Sequence, residues 1–197
     1  AGGSINPLAS GLEEYSSKQH RSPGWREKYR IVEQAADRIV LQAKLKNGLE
    51  LTRTVKLAAG EPRVRITSVL RNTKNKPVPA CLRIHPVFKL AQPDKCQIAL
   101  SHSNGAKRQI PLRAVAPGRN TGELYLKAKP APIKAWGLID ADGRPRLANR
   151  VIKGEVATHY VHLDRDLGAI NLELWSPEKR LAKGESISIS HEYQLGP

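Results

Sequence analysis

Two short segments of this 197-residue chain gather side chains that could act together on a ligand. In the first, Arg83-Ile84-His85-Pro86-Val87-Phe88, an extended backbone sends Arg83 and His85 to one face and Leu82 and Ile84 to the other. The proline keeps the residue before it extended, which fixes the imidazole of His85 near a strand end. Such an imidazole can exchange a proton near neutral pH, or it can simply pack and hydrogen-bond there. In the second, Asn171-Leu172-Glu173-Leu174-Trp175-Ser176-Pro177, Leu172 and Leu174 face a core while Asn171, Glu173 and Trp175 share the opposite side. A carboxylate beside an indole suits a sugar, because the ring C–H face stacks on the aromatic and polar groups take the hydroxyls. The competing reading is a solvated strand face carrying one exposed glutamate.

Other chemistries lack their signatures. There is no glycine-rich phosphate loop, nucleophile elbow or paired-histidine zinc helix. Six histidines are scattered, and His159 and His162 are three apart, which on a strand sends them to opposite faces. They are poor joint metal ligands, so no metal is expected. Cys81 and Cys96 could form one disulfide in an oxidising compartment or remain two buried thiols.

Lys and Arg total 33 against 18 Asp and Glu, a net charge of +15. A surface of that sign attracts anions such as nucleic acid, acidic lipid, acidic polysaccharide or sugar phosphate, or it merely keeps the protein solvated. The charge is spread along the chain without a basic block, and no nucleic-acid-binding module is recognisable. Nucleic acid is therefore the weakest of these partners. No apolar run approaches the ~20 residues of a membrane span. The chain starts at Ala1 and holds no methionine, which implies a processed protein or a piece of a longer one. That, with a Cys81–Cys96 link, leans towards a periplasmic or secreted location.

The elements that must position these side chains read as strands throughout. Residues 37–45 and 49–57 alternate in polarity on either side of Asn47-Gly48, the preferred pair for a type I′ hairpin turn. Further strands are expected at 63–71, 80–88, 96–102, 108–115, 133–140, 158–163, 169–175 and 186–195. Residues 1–27 read as irregular, with Trp25 as their large aromatic anchor, and 116–132 as a long exposed loop rich in Pro and Gly. No stretch has a helical period over three turns, and no internal repeat of 20–50 residues is present. The expectation is one all-β domain, a sandwich of two antiparallel sheets over residues 1–197.

Four pieces, in order, resemble the galactose mutarotase-like, or aldose 1-epimerase-like, superfamily. Residues 48–57 (GLELTRTVKL) with 64–72 (VRITSVLRN) resemble its hairpin and a strand ending in Asn. Residues 84–88 (IHPVF) resemble its His-bearing strand end, and 172–177 (LELWSP) its late acidic strand. Residues 181–193 (LAKGESISISHEY) resemble its closing strand. The resemblance spans about residues 28–197 and implies a β-supersandwich. It also implies His85 as the acid that protonates the ring oxygen of a sugar and Glu173 as the base at the C1 hydroxyl. Arg83, Asn171 and Trp175 would bind the ligand. Both steps are proton transfers, so neither cofactor nor metal is needed.

Family enzymes are longer, and the missing part precedes residue 28, where no second active-site histidine is recognisable. The leading expectation is accordingly a carbohydrate-binding domain, one part of a larger polysaccharide-processing protein, with a further domain or chain before Ala1. An aldose 1-epimerase is the alternative, and a basic nucleic-acid or acidic-surface binder the second alternative. Arg83, with Arg63, Arg65 and Arg71 on a neighbouring strand, would favour an anionic sugar if all line one cleft.

Overall fold

Strand alternation governs the backbone from end to end. A computed structural model describes residues 11–19, 22–24, 27–127 and 131–196. In chain order the strands are β1 (Gly11–Tyr15), β2 (Arg30–Gln34), β3 (Arg38–Lys44), β4 (Leu49–Leu57), β5 (Arg63–Asn72), β6 (Val78–Ala80), β7 (Arg83–Lys89) and β8 (Gln97–His102). They continue as β9 (Lys107–Pro111), β10 (Thr121–Lys127), β11 (Ile133–Ile139), β12 (Pro145–Lys153), β13 (Thr158–Asp164), β14 (Ala169–Trp175), β15 (Lys179–Leu181) and β16 (Ser186–Leu195). Two single 3₁₀ turns, Pro93–Lys95 and Leu112–Ala114, complete the regular structure among the described residues.

Five strands form a small sheet in the order β1-β7-β14-β13-β10. Nine form a large sheet in the order β2-β3-β4-β5-β16-β12-β11-β8-β9, and β15 pairs with β6 apart from both. Every ladder is antiparallel. The inward residues of the two sheets make one core. Ile84, Leu172 and Leu174 from the small sheet join Leu51, Leu70 and Ile189 from the large one in a single cluster, all 3% exposed or less. This is the expected all-β, antiparallel two-sheet sandwich.

Local details differ from the sequence expectation. The β3–β4 connection is a three-residue loop: Leu45 N–H donates to Leu49 O, Gly48 N–H donates to Leu45 O, and Gly48 has φ +85°. A type I turn followed by a left-handed glycine thus replaces the two-residue I′ turn. β1 lies within the stretch read as irregular, and β10 within the stretch read as a loop, where Thr121–Lys127 pairs residue for residue with β13. At Gly122 an added Cβ would sit 2.7 Å from that of Ala116, so the glycine serves close packing rather than breaking the strand. β12 was hidden by charged residues on its outer side. Trp25 lies outside the described residues.

Candidate functional site

The two central strands of the small sheet bring the chemistry-bearing segments side by side. β14 pairs with β7 so that Trp175 lies opposite Arg83 and Leu174 opposite Ile84. That register sets Glu173 beside His85, with Asn171 next along the same face. β1 adds Glu13 opposite His85 and Tyr15 opposite Arg83. β13 sets Tyr160 opposite Glu173, and β10 sets Tyr125 opposite Tyr160. The alternate residues of the same strands fill the sandwich core, so the apolar pattern alone fixes which face carries the site.

Glu173 is its centre. Its side chain is wholly buried, and Arg83 holds it from two nitrogens, Nε donating to Oε2 at 2.9 Å and Nη2 to Oε1 at 3.0 Å. The Trp175 indole N–H donates to Oε2 at 2.5 Å. His85 Nε2 is 3.5 Å from Oε1, and Asn171 Nδ2 approaches the same ring nitrogen to 2.6 Å. Burial pushes the Glu173 carboxyl above its ordinary value, while the adjacent Arg83 charge and the Trp175 N–H pull it back. The guanidinium of Arg83 is sandwiched between aromatic rings, 4.7 Å from the centroid of Tyr15 and 4.4 Å from that of Trp175. Its remaining nitrogen Nη1 donates to Lys18 O at 3.1 Å, so the turn after β1 lies against it. Arg83, His85, Asn171, Glu173 and Trp175, the five residues singled out from the sequence, are thus all brought together, and all are buried.

The aromatic part of the face extends further. Trp175 and Tyr160 have centroids 5.2 Å apart, and Tyr160 and Tyr125 4.8 Å apart. Tyr125 is 52% exposed, so the line of rings runs from the buried carboxylate to solvent. Tyr160 was legible as a neighbour of Glu173 only once the strand order was known. Tyr15 was missed because its strand is only five residues long, and Tyr125 because Gly and Pro flank its strand, although Leu124 and Leu126 alternate with it.

A second acidic centre was also missed. Glu14 points from β1 into the sandwich and is wholly buried. Arg53 Nε donates to its Oε1 at 2.7 Å, and Arg53 Nη2 reaches its other oxygen. Ser68 Oγ donates to Oε1 at 2.7 Å and Tyr29 OH to Oε2 at 3.1 Å. Near it His191, fully buried, is held neutral by burial and the Arg53 charge, its pKa lowered to about 4. His159 is lowered to about 4 by burial and by His102. His159 lies on the inner face of β13 and His162 on the outer, so they do not converge. Cys81 and Cys96 are free buried thiols, hydrogen-bonded to Ser176 O and Gln92 O respectively.

Arg63, Arg65 and Arg71 do not join Arg83. They point away from the core of the large sheet, where Arg63, Arg65 and Arg150 surround Glu192, at 3.6, 3.0 and 3.2 Å.

Solved structures share this architecture, three of them as follows. The chain superposes with the Slr1438 protein of Synechocystis sp. PCC 6803 at a TM-score of 0.67, with 16% identity over 85% of this chain and 65% of that one. An Escherichia coli K12 protein, described provisionally as an aldose 1-epimerase, gives 0.65, with 14% identity over 87% and 69%. The fold is mutarotase-like. A TPR-domain containing protein from Parabacteroides distasonis gives 0.66, with 14% identity over 94% of this chain and only 37% of that chain. The chain therefore spans about two thirds of the first two structures and a smaller part of the third. No family model matches the sequence, nor does any curated protein.

Proposed function

We propose that this mutarotase-like chain is a carbohydrate-binding domain of a larger polysaccharide-processing protein, and that it recognises a sugar ring at the Arg83–His85–Glu173–Trp175 face. The observation that carries this reading is the unbroken line Glu173–Trp175–Tyr160–Tyr125, which joins a hydrogen-bonding carboxylate to an exposed stacking surface. Pyranose rings offer an apolar face, and the exposed Tyr125 ring at the end of this line offers it a stacking partner. The near-complete overlap of the chain with a minor part of the Parabacteroides protein supports its being one part of something larger.

The alternative reading, aldose 1-epimerase, gives His85 and Glu173 the acid and base roles. Against it stands the occupancy of Glu173. A carboxylate has about four lone-pair sites. Arg83 takes two, Trp175 a third, and His85 faces the remainder. A base must keep one site for the proton it removes. Asn171 Nδ2, 2.6 Å from His85 Nε2, also crowds the nitrogen that an acid would use. The geometry supports holding over turnover.

Calorimetric titration with a panel of oligosaccharides tests binding, and polarimetry on freshly dissolved α-glucose and α-galactose tests turnover in the same samples. Binding lost on Tyr125→Ala or Trp175→Ala, without anomer interconversion above the uncatalysed rate, is the expected result. No binding by the intact protein to any saccharide overturns the proposal. A rate that falls roughly 10²–10⁴-fold on both His85→Ala and Glu173→Gln would establish the epimerase instead.

A further inference from the structure

The site face leads to a groove along the open edge of the small sheet. Among the described residues β10 is the last strand there and pairs only with β13. Beside it lie two adjoining grooves of about 520 and 480 Å³ that share Lys127 and Ile133 in their walls. The larger is lined by His102, Lys107, Arg108, Tyr125 and Lys127, and the smaller adds Lys134. Lys107, Arg108, Lys127 and Lys134 are all exposed, and among the described residues none is ion-paired. Among the described residues the one acidic group in these walls is Glu155, 3.7 Å from Lys179, and Glu123, on the same face of β10, accepts from the Tyr125 hydroxyl at 3.3 Å. The arginines on the far side of the large sheet differ in this respect, because they share Glu192.

We infer that this groove is a subsite for an anionic polysaccharide, one strand of which runs past Tyr125 towards the candidate site. The inference rests on the carbohydrate reading above and names its ligand class. Four unneutralised cations in a concave wall focus a positive potential, which a neutral glycan would leave unused. Tyr125 belongs to both the groove and the aromatic line, so a ring stacked on it would be shared between them. A free phosphate would need neither the stacking surface nor a groove of this length. Single-stranded nucleic acid calls for successive aromatics along its track. Among the described residues, the Tyr125 ring and the His102 imidazole are the two rings in these walls, too few for such a track. Carboxylates of uronic acids and sulfates of sulfated sugars present the same charge on the same ring.

The test is calorimetric titration of the intact chain with hexamers of galacturonate, of a sulfated galactan and of neutral galactan, together with oligo-dT. Each is run at low and at raised salt. The acidic hexamers should bind more tightly than the neutral one at low salt and lose that advantage as salt rises. Lys107→Glu combined with Arg108→Glu should weaken acidic hexamers by about ten-fold or more and change the neutral one by less than about two-fold. Lys46→Glu, a reversal on the exposed β3–β4 turn, should leave all affinities within about two-fold. The preferred acidic arm identifies the anion. Equal affinity for neutral and acidic hexamers, indifference of the acidic ones to the double reversal, or tighter binding of oligo-dT each overturns the inference. If the neutral hexamer still binds through Trp175 in such a case, only the groove assignment falls. If no hexamer binds, the carbohydrate reading falls with it.

Discussion

Glu14 and Glu173 are both wholly buried and both held by an arginine, yet they sit on opposite faces of the small sheet and their surroundings differ in kind. Around Glu14 the partners are Arg53, Ser68 and Tyr29, all donors, contributed across the gap from the large sheet and its approach. That centre ties β1 to the large sheet. Around Glu173 the partners come from its own sheet and include an imidazole, an indole and a π-sandwiched guanidinium. Among the described residues, the first arrangement has no imidazole on its carboxylate, whereas the second has one and a line of rings leading to solvent. Burial of an ion pair therefore does not mark a functional site by itself. What distinguishes Glu173 is the imidazole beside it and the line of rings that leads from it to solvent.

The largest effect expected from breaking this comparison is at Arg53. Arg53→Met leaves the Glu14 carboxylate buried without its charge partner, which should cost about 3–5 kcal/mol in chemical denaturation. Replacing both, Arg53→Met with Glu14→Leu, should recover most of that loss, since a buried pair exchanged for apolar groups is often neutral. If the double variant is as unstable as the single one, Glu14 has a role beyond charge pairing.

Next is the same operation at the other centre. Glu173→Gln leaves Arg83 buried against a neutral amide and should destabilise by about 1–3 kcal/mol while abolishing saccharide binding. Loss of stability with binding intact would reduce Glu173 to a second copy of Glu14.

The pH dependence follows from His159 and His191. Both have folded pKa values of about 4, below the unfolded value near 6.5. The unfolded chain therefore binds more protons than the folded one between these values, and stability falls as pH is lowered through that window. Each histidine contributes a slope of up to about 1.4 kcal/mol per pH unit. Denaturation midpoints between pH 7 and 4 should show it, and His191→Gln should flatten the slope. A profile unchanged by that substitution would mean that His191 is charged in the fold.

The smallest effect is expected at the solvent-facing cluster. Arg65→Ala removes one of three cations around Glu192 and should shift stability by no more than about 1 kcal/mol, fading with salt. A larger loss would show that this surface cluster resembles the buried centres after all.

The sequence carried the fold and the core of the site, for a specific reason. β7 and β14 alternate cleanly, so the faces of Arg83, His85, Asn171, Glu173 and Trp175 could be read from parity alone. Which strands lie beside them could not, because antiparallel pairing over long separations leaves no local trace. Tyr15 and Glu14 lie on a five-residue strand whose sequence, GLEEY, shows no clear alternation, and Tyr125 on one enclosed by Gly and Pro. The outward direction of Arg63, Arg65 and Arg71 was fixed by parity too, but whether that face was cleft or surface depended on the packing of the sheets.

The position of β16 has a kinetic consequence. The last of the described strands lies in the middle of the large sheet, with β5 on one side and β12 on the other. Until Ser186–Leu195 has emerged from the ribosome, the β2–β5 half and the β8–β12 half of that sheet have no strand to join them. During synthesis each half waits with an open edge, and sheet closure is a late event in the chain's history. Topologies dominated by such non-local pairings fold in roughly milliseconds to seconds rather than microseconds.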